Sequence, residues 1–358
     1  MVKQGSAENL ALYRKYRPGA FKEVRGQEQV VAVLEAALES GKIPHAYLFA
    51  GPRGTGKTSL ARIFAGALET SEKDLYEIDA ASQTGVDNIR ELQEGIATLP
   101  FESRYKVYVI DEVHMLSKGA FNALLKTLEE PPAHAIFILA TTELEKVPET
   151  VVSRCQLFRF KKPSRAVLKE LVLDVANKEG AKIAPASAEL IALLGDGSFR
   201  DTLGTLQKAL TLSGDKMLSE EEVAKVVGAP KSSAVNEFLE ALARKDAAAA
   251  LRTAHAAADS GAEPKVFLML AVAKARAVLL LRFAKDMRGE IAEQFSQEDT
   301  EVLERLAGKE GVALNSGVLA ELITALLETN RAPVPLIPLD LMLFRIFEKE
   351  KEKEKEKE

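Results

Sequence analysis

The sequence predicts an α/β domain built on a parallel five-stranded sheet, followed by two all-α segments. Three observations carry this prediction. Short apolar runs alternate with helical patterns up to Pro163, the strand signal then vanishes, and Ala- and Leu-rich helical segments run on to about Phe347. Strands separated by helices are the pattern of a parallel sheet covered on both faces. At 358 residues the chain is also too long for one ordinary core, which suggests two or three domains.

The expected strands are "AYLFA" (46–50), "LYEID" (75–79), "KVYVI" (106–110), "AIFILA" (135–140) and "CQLFRF" (155–160), each bounded by turn or helix-start residues. Between the third and fourth, Phe121, Leu124, Leu125 and Leu128 recur at helical spacing, with Lys118, Asn122 and Lys126 on the opposite face. That helix should stop at Pro131-Pro132. "KKPSRA" (161–166) and "GAPKSS" (228–233) read as boundaries, dividing the chain into residues 1–163, 164–230 and 231–347. The remainder, 348–358, alternates Glu and Lys strictly. Like charges then stand at i,i+4, so a solvated low-complexity tail is expected.

Composition narrows the function classes. A formal net charge of −5 offers no global attraction to nucleic acid, so any DNA contact must come from a local patch or from helix N-termini. Cys155 is the sole cysteine, which excludes a disulfide framework and a Cys-based zinc site and fits a reducing cytoplasm. His45, His114, His134 and His255 lack metal-ligand spacing. The N-terminus has no apolar signal core. The most apolar run, Phe267 to Phe283, is interrupted by Lys274 and Arg276 and reads as a buried helix, with no membrane association expected.

"GPRGTGKTS" follows the first strand and matches the phosphate loop G-x-x-x-x-G-K-[ST] at Gly51, Gly56, Lys57 and Thr58. Its glycines permit a tight turn whose amides face phosphate oxygens, and the helix that follows offers its positive end to the same anion. Arg53, Gly54, Thr55 and Ser59 lie in the same stretch and join the nucleotide-binding set. Lys57 should reach the β- and γ-phosphates and Thr58 should ligate Mg²⁺. "KVYVIDE" places Asp111 at a strand end for Mg²⁺ and Glu112 where a general base can polarise water. A cap for the next helix is the competing reading of this carboxylate pair.

"DEVH" (111–114) also matches a helicase box, but a helicase needs a second motor domain, and nothing after Pro163 resembles one. His114 is therefore expected to pack or hydrogen-bond locally. "LATTE" puts the hydroxyls of Thr141 and Thr142 within reach of a γ-phosphate or lytic water. Arg154, in "VVSRCQ", ends a helical stretch, and Arg200, in "GSFRD", stands near a helix start where Ser198 and Asp201 resemble a capping box. A surface ion pair is the ordinary fate of either arginine.

Taken in order, "YRPGAFKEVRGQE", "HAYLFAGPRGTGKTS", "EIDAAS", "YVIDEVHMLSKGAFNALLKTLEEPP", "LATTE", "VVSRC" and "GSFRD" resemble the γ/τ family of bacterial DNA polymerase III subunits, the AAA+ ATPases of the sliding-clamp loader. The likeness is dense from Ala11 to Leu206, and "APVPLIPLDLMLFRIF" resembles the family's last collar segment. It implies an AAA+ nucleotide-binding domain, then a helical lid and a helical collar that oligomerises. Thr142 would be sensor 1 with Thr141 beside it, Arg154 the arginine finger inserted into a neighbouring subunit's site, and Arg200 sensor 2 acting in cis. Arg17 and Pro18, with Val24, would line the adenine end. The implied partners are the sliding clamp, δ- and δ′-type subunits, other copies of itself and primer-template DNA, with ATP and Mg²⁺ as ligands. Another AAA+ DNA-processing ATPase and a low-turnover ATP-binding scaffold are the competing functions.

The chain departs from the family in three places. "FAGALETSEKDLYEIDAAS" leaves no room for the usual four-cysteine zinc module, so no zinc is expected. Gln83 and Gly85 stand where relatives often have basic residues, leaving Arg90, Lys118 and Lys126 as candidates for DNA contact, against a reading as solvated cations. The longer τ form's C-terminal regions for helicase and polymerase binding are not represented.

Overall fold

A computed structural model describes residues 10–82, 95–213, 217–292, 294–308 and 313–355 of the chain. Five parallel strands, β1 (Ala46–Ala50), β2 (Leu75–Asp79), β3 (Lys106–Asp111), β4 (Ala135–Thr141) and β5 (Gln156–Arg159), pair in the order β2-β3-β4-β1-β5. All five expected strands form, with boundaries within one residue of those expected. Strand β4 is inserted between β1 and β3, in a register that pairs Ala50 with Thr141 and Ile110 with Leu139. The C-terminal ends of β1, β4 and β3 therefore lie side by side, the edge at which open α/β sheets bind ligands.

Alternation along each strand feeds two cores. Tyr47, Phe49, Val109 and Ile138 pack on Leu60 and Phe64 of the helix Lys57–Ala67. Leu48, Tyr108, Ile110 and Leu139 pack on Phe121, Leu124 and Leu128 of the helix Lys118–Glu129. Each such side chain contributes roughly 1.5–3 kcal/mol by leaving water, and burial on both faces explains why the strands read as continuous apolar runs. Ser117 caps the second helix by accepting the Ala120 N–H at 3.2 Å. The helix ends just before the two prolines, as its sequence requires.

Packing groups the chain into two compact units, Met1–Val175 with Gly195–Gln207 and Ala176–Leu194 with Lys208–Glu358. The stretch 164–230, one domain by sequence, is thus shared between them, and the segment carrying Arg200 belongs with the sheet. The core of the second unit is helical, with Phe238, Phe267, Leu268, Val278, Leu322 and Met342 at its centre. The apolar run forms the helix Pro264–Phe283, started by a proline whose missing N–H costs nothing there. Among the described residues no helix is long and apolar enough to cross a membrane.

Lys274, the charge that interrupts this run, is buried. Its ammonium donates to Ser232 Oγ at 2.7 Å, Asn236 Oδ1 at 2.8 Å and Asp299 Oδ1 at 2.7 Å. Burial holds the ammonium below the usual lysine range against the pull of Asp299. Burial pushes the Asp299 carboxyl up, but Lys274 and the neighbouring donors hold it below the usual carboxylate range. Lys274→Met preserves volume and leaves the carboxylate buried without its cation, so it should destabilise the helical unit by about 3–5 kcal/mol, read as a lowered urea midpoint in that unit.

At the far end the helix Ile337–Lys355 continues through most of the Glu-Lys repeat. Glu and Lys both rank high in helix propensity, and opposite charges at i,i+3 offset like charges at i,i+4.

Candidate functional site

The phosphate loop leaves β1 in a conformation that only glycine adopts without strain. Gly54 has φ +73°, and a Cβ there would sit 2.0 Å from Ser198 Oγ; Gly56 has φ +102° and starts the helix Lys57–Ala67. The loop is held from two sides. The Phe199 N–H donates to the Gly54 carbonyl at 2.9 Å. From the other side the buried Gln27 amide donates to the carbonyls of Thr55, at 3.4 Å, and Lys161, at 2.8 Å. Gly54→Ala should therefore cost about 1–3 kcal/mol through backbone strain and the Ser198 clash, seen as a lower melting temperature and weaker nucleotide binding.

Lys57 is 5% exposed, and its ammonium donates to the carbonyls of Gly51 at 2.7 Å and Pro52 at 2.9 Å. Burial pulls its pKa below the ordinary lysine value, opposed by the carboxylates of Glu112 and Asp111 and reinforced by Arg200. These four charged groups, brought from three elements, therefore share one electrostatic site. The Thr58 hydroxyl donates to Asp111 Oδ2 at 2.7 Å, so the two expected Mg²⁺ ligands converge as hard oxygen donors.

Glu112 follows β3 in a left-handed conformation, φ +48° and ψ +45°, uncommon for a residue with a side chain. Its Oε2 accepts the Thr142 N–H at 3.2 Å and the Thr142 hydroxyl at 2.9 Å. Thr142 thus faces the carboxylate, whereas Thr141 is fully buried and its Oγ1 lies 3.0 Å from His114 Nδ1.

Arg200 lies in the first turn of the helix Phe199–Leu212, whose start is capped by Ser198 Oγ accepting the Asp201 N–H at 3.2 Å. The Arg200 guanidinium sits 5.6 Å from the centre of the Tyr13 ring. Arg17 lies within electrostatic reach of Arg62, Glu77, Arg200 and Arg14, and burial, then Arg62, lowers its pKa. Val24 packs beside Phe21 on the core behind the phosphate loop.

Against known proteins, residues 26–81 and 67–164 match the family model described as DNA polymerase III, delta subunit. Residues 218–358 match the model for DNA polymerase III subunits gamma and tau domain III. The chain is 40% identical over 311 residues to DNA polymerase III subunit tau of Bacillus subtilis, covering 81% of this chain and 55% of that protein. It is 38% identical over 279 residues to the tau subunit of Escherichia coli K12, covering 72% of this chain and 43% of that protein. The chain belongs to the DNA polymerase III γ/τ family. It spans about half the length of the curated relatives it matches. Among solved structures, the Thermotoga maritima RuvB Holliday junction branch migration motor superposes with a TM-score of 0.52 at 25% identity, covering 63% of this chain and 79% of that one. That likeness bears on the fold, an AAA+ α/β arrangement.

In this γ/τ-family chain the Ser-Arg-Cys arginine does not join the phosphate site of its own subunit. Arg154 Nη2 meets Glu129 Oε1 at 2.6 Å and Nη1 donates to the Thr150 carbonyl at 2.8 Å. Its neighbour Cys155 is half-buried, and burial alone pushes that thiol up to about 12. Arg53 is exposed at the tip of the phosphate loop, and Lys118 and Lys126 are exposed on the outer face of their helix. Gln83, Gly85 and Arg90 lie outside the described residues. Sequence reasoning passed over Gln27, Ser198 as a packing partner of Gly54, and Glu129. Each stands inside a quoted motif, but its role depends on a partner 25 to 144 positions away in the chain.

Proposed function

We propose that the chain is the ATPase subunit of a DNA sliding-clamp loader, using ATP binding and hydrolysis to place the clamp on primer-template DNA. The observation that carries the reading is the convergence of Lys57, Thr58, Asp111, Glu112 and Thr142 at one sheet edge with Arg200 in electrostatic reach, in a chain of γ/τ sequence. Lys57 and the loop amides take the β- and γ-phosphates of ATP, and Arg200 closes on them from its helix. Thr58 and Asp111 would hold Mg²⁺, which supplies charge neutralisation at the bridging phosphate oxygens. Glu112 accepts the proton of the attacking water, and Thr142 orients that water or the γ-phosphate. Arg17, Pro18 and Val24 form the base-binding end.

The role left for Arg154 is in trans. Held by Glu129 away from its own phosphate loop, it reaches the site of a second copy, so ATP occupancy tightens a ring and hydrolysis loosens it. Residues 164–230 then act as the lid and 231–347 as the collar. The further partners are the clamp, δ- and δ′-type subunits and primed DNA, in a cytoplasmic setting consistent with the lone cysteine, and no zinc is required. A branch-migration motor shares the fold, but the Ser-Arg-Cys and "LLKTLEEPP" stretches disfavour it. Intact Glu112 and Arg154 argue against a passive scaffold. The test is retention of purified clamp and δ-type subunits on the immobilised chain with and without ATP. ATP-dependent retention of the clamp is expected, and retention of neither partner would overturn the reading.

A further inference from the structure

His114, the polar member of the Asp-Glu-Val-His stretch without a place in the reaction above, sits between two carboxylates. Its side chain is 5% exposed, with Nδ1 3.0 Å from Thr141 Oγ1 and 3.5 Å from Glu112 Oε2, and Nε2 3.2 Å from Glu143 Oε1. Glu143 lies at the surface, 39% exposed and 2.8 Å from Lys146 Nζ. The Glu143 N–H donates to Thr141 Oγ1 at 3.0 Å. That oxygen therefore already accepts one hydrogen bond, and its own proton is available for the ring.

Of the two neutral tautomers, one lets the ring donate to Glu143 while Thr141 donates to the ring. The Thr141 hydroxyl donates to Nδ1, and the ring carries its hydrogen on Nε2, where it donates to the Glu143 carboxylate. The opposite tautomer would set an Nε2 lone pair against the Glu143 carboxylate and place an N–H between Thr141 Oγ1, at 3.0 Å, and Glu112 Oε2, at 3.5 Å. Glu112 already accepts two hydrogen bonds, from the amide and the hydroxyl of Thr142. A third from His114 would fix the carboxylate on that side.

We propose that Glu143 is a positioning residue for ATP hydrolysis: acting through the tautomer of His114, it keeps an imidazole N–H away from the general base Glu112. Neither residue touches substrate. Glu143 sets the ring, the ring and Thr141 set each other's hydrogens, and the lone pair facing Glu112 leaves that carboxylate held by Thr142 alone and free to turn toward water. The turn after β4 thereby communicates with the nucleotide site, so a cation brought to Glu143 by a partner would be felt at Glu112. This inference rests on the reading of Glu112 as the general base.

The test combines spectroscopy and kinetics on the full chain. In uniformly ¹⁵N-labelled protein, long-range ¹H–¹⁵N spectra report which ring nitrogen carries hydrogen, and the His114 signal is assigned by its loss in His114→Phe. The wild type should show hydrogen on Nε2, and Glu143→Gln, whose amide can donate to that nitrogen, should shift it to Nδ1. In the loader assembled with its partner subunits and primed DNA, Glu143→Gln should lower kcat about tenfold with KM for ATP unchanged. In the His114→Phe background the same substitution should have no effect on kcat. A wild-type ring protonated on Nδ1, a tautomer unmoved by Glu143→Gln, or an equal loss in both backgrounds would each overturn the proposal. If His114→Phe does not fold, the surface variant Glu143→Gln decides it, since a merely structural glutamate would not move the ring hydrogen. Absence of ATP hydrolysis in the wild type would instead refute the ATPase reading, and the tautomer result would stand apart from it.

Discussion

Glu112→Gln is expected to lower ATP turnover by roughly 10²–10⁴-fold, the usual contribution of a general base, while ATP affinity changes by less than about twofold. The substitution keeps the shape of the side chain and leaves an oxygen able to accept from the amide and hydroxyl of Thr142, but the amide cannot take a proton from water. The left-handed backbone at this position is unchanged, so folding should be preserved. Steady-state kcat and KM with primed DNA, alongside fluorescence titration of a nucleotide analogue, separate the effects. Lys57→Ala offers the contrast: it removes the buried ammonium that lies against the phosphate loop and should weaken binding and turnover together. Wild-type turnover in both variants would refute ATP hydrolysis at this site.

Arg154→Ala should lower turnover in the assembled ring by about 10³–10⁵-fold, the range for arginine fingers, while each subunit still binds ATP. The geometry behind this is the ion pair of Arg154 with Glu129, reinforced by the Thr150 carbonyl, which ties the guanidinium to groups outside the phosphate loop of its own chain. A mixing experiment makes the trans assignment specific. Rings of Arg154→Ala subunits and rings of Lys57→Ala subunits should both be inactive, yet a mixture should recover part of the activity. In mixed rings an intact phosphate loop can face an intact finger. No recovery on mixing, with mixed rings shown to form, would place Arg154 in cis.

The parts of the site legible in the sequence are those whose geometry is local. Gly51, Gly56, Lys57 and Thr58 are fixed relative to one another by one turn and the first turn of one helix. Asp111 and Glu112 are adjacent at the end of one apolar strand. Their type and spacing mark them as candidates for phosphate and metal binding, and the fold places Lys57, Thr58, Asp111 and Glu112 near one another. The five strands were legible for a related reason, since a strand buried on both faces must be apolar throughout.

The remainder depends on neighbours that spacing does not reveal. Which of Thr141 and Thr142 faces Glu112 depends on side-chain alternation at the end of β4 and on β4 lying between β1 and β3. Lys274 interrupts an apolar run in sequence, and only packing against Ser232, Asn236 and Asp299 makes a buried charge tolerable there. Arg154 lies in an ion pair with Glu129, and His114 lies beside Glu143, partners that spacing along the chain does not reveal. The sequence by itself determined the α/β fold class, the phosphate loop and the paired carboxylates, because backbone conformation and short-range order specify them. Tertiary structure alone decided which threonine meets Glu112, where Arg154 rests and which carboxylates flank the His114 ring. Those choices follow from strand order and from contacts between distant segments, where hydrogen-bond satisfaction in a buried site leaves few arrangements open.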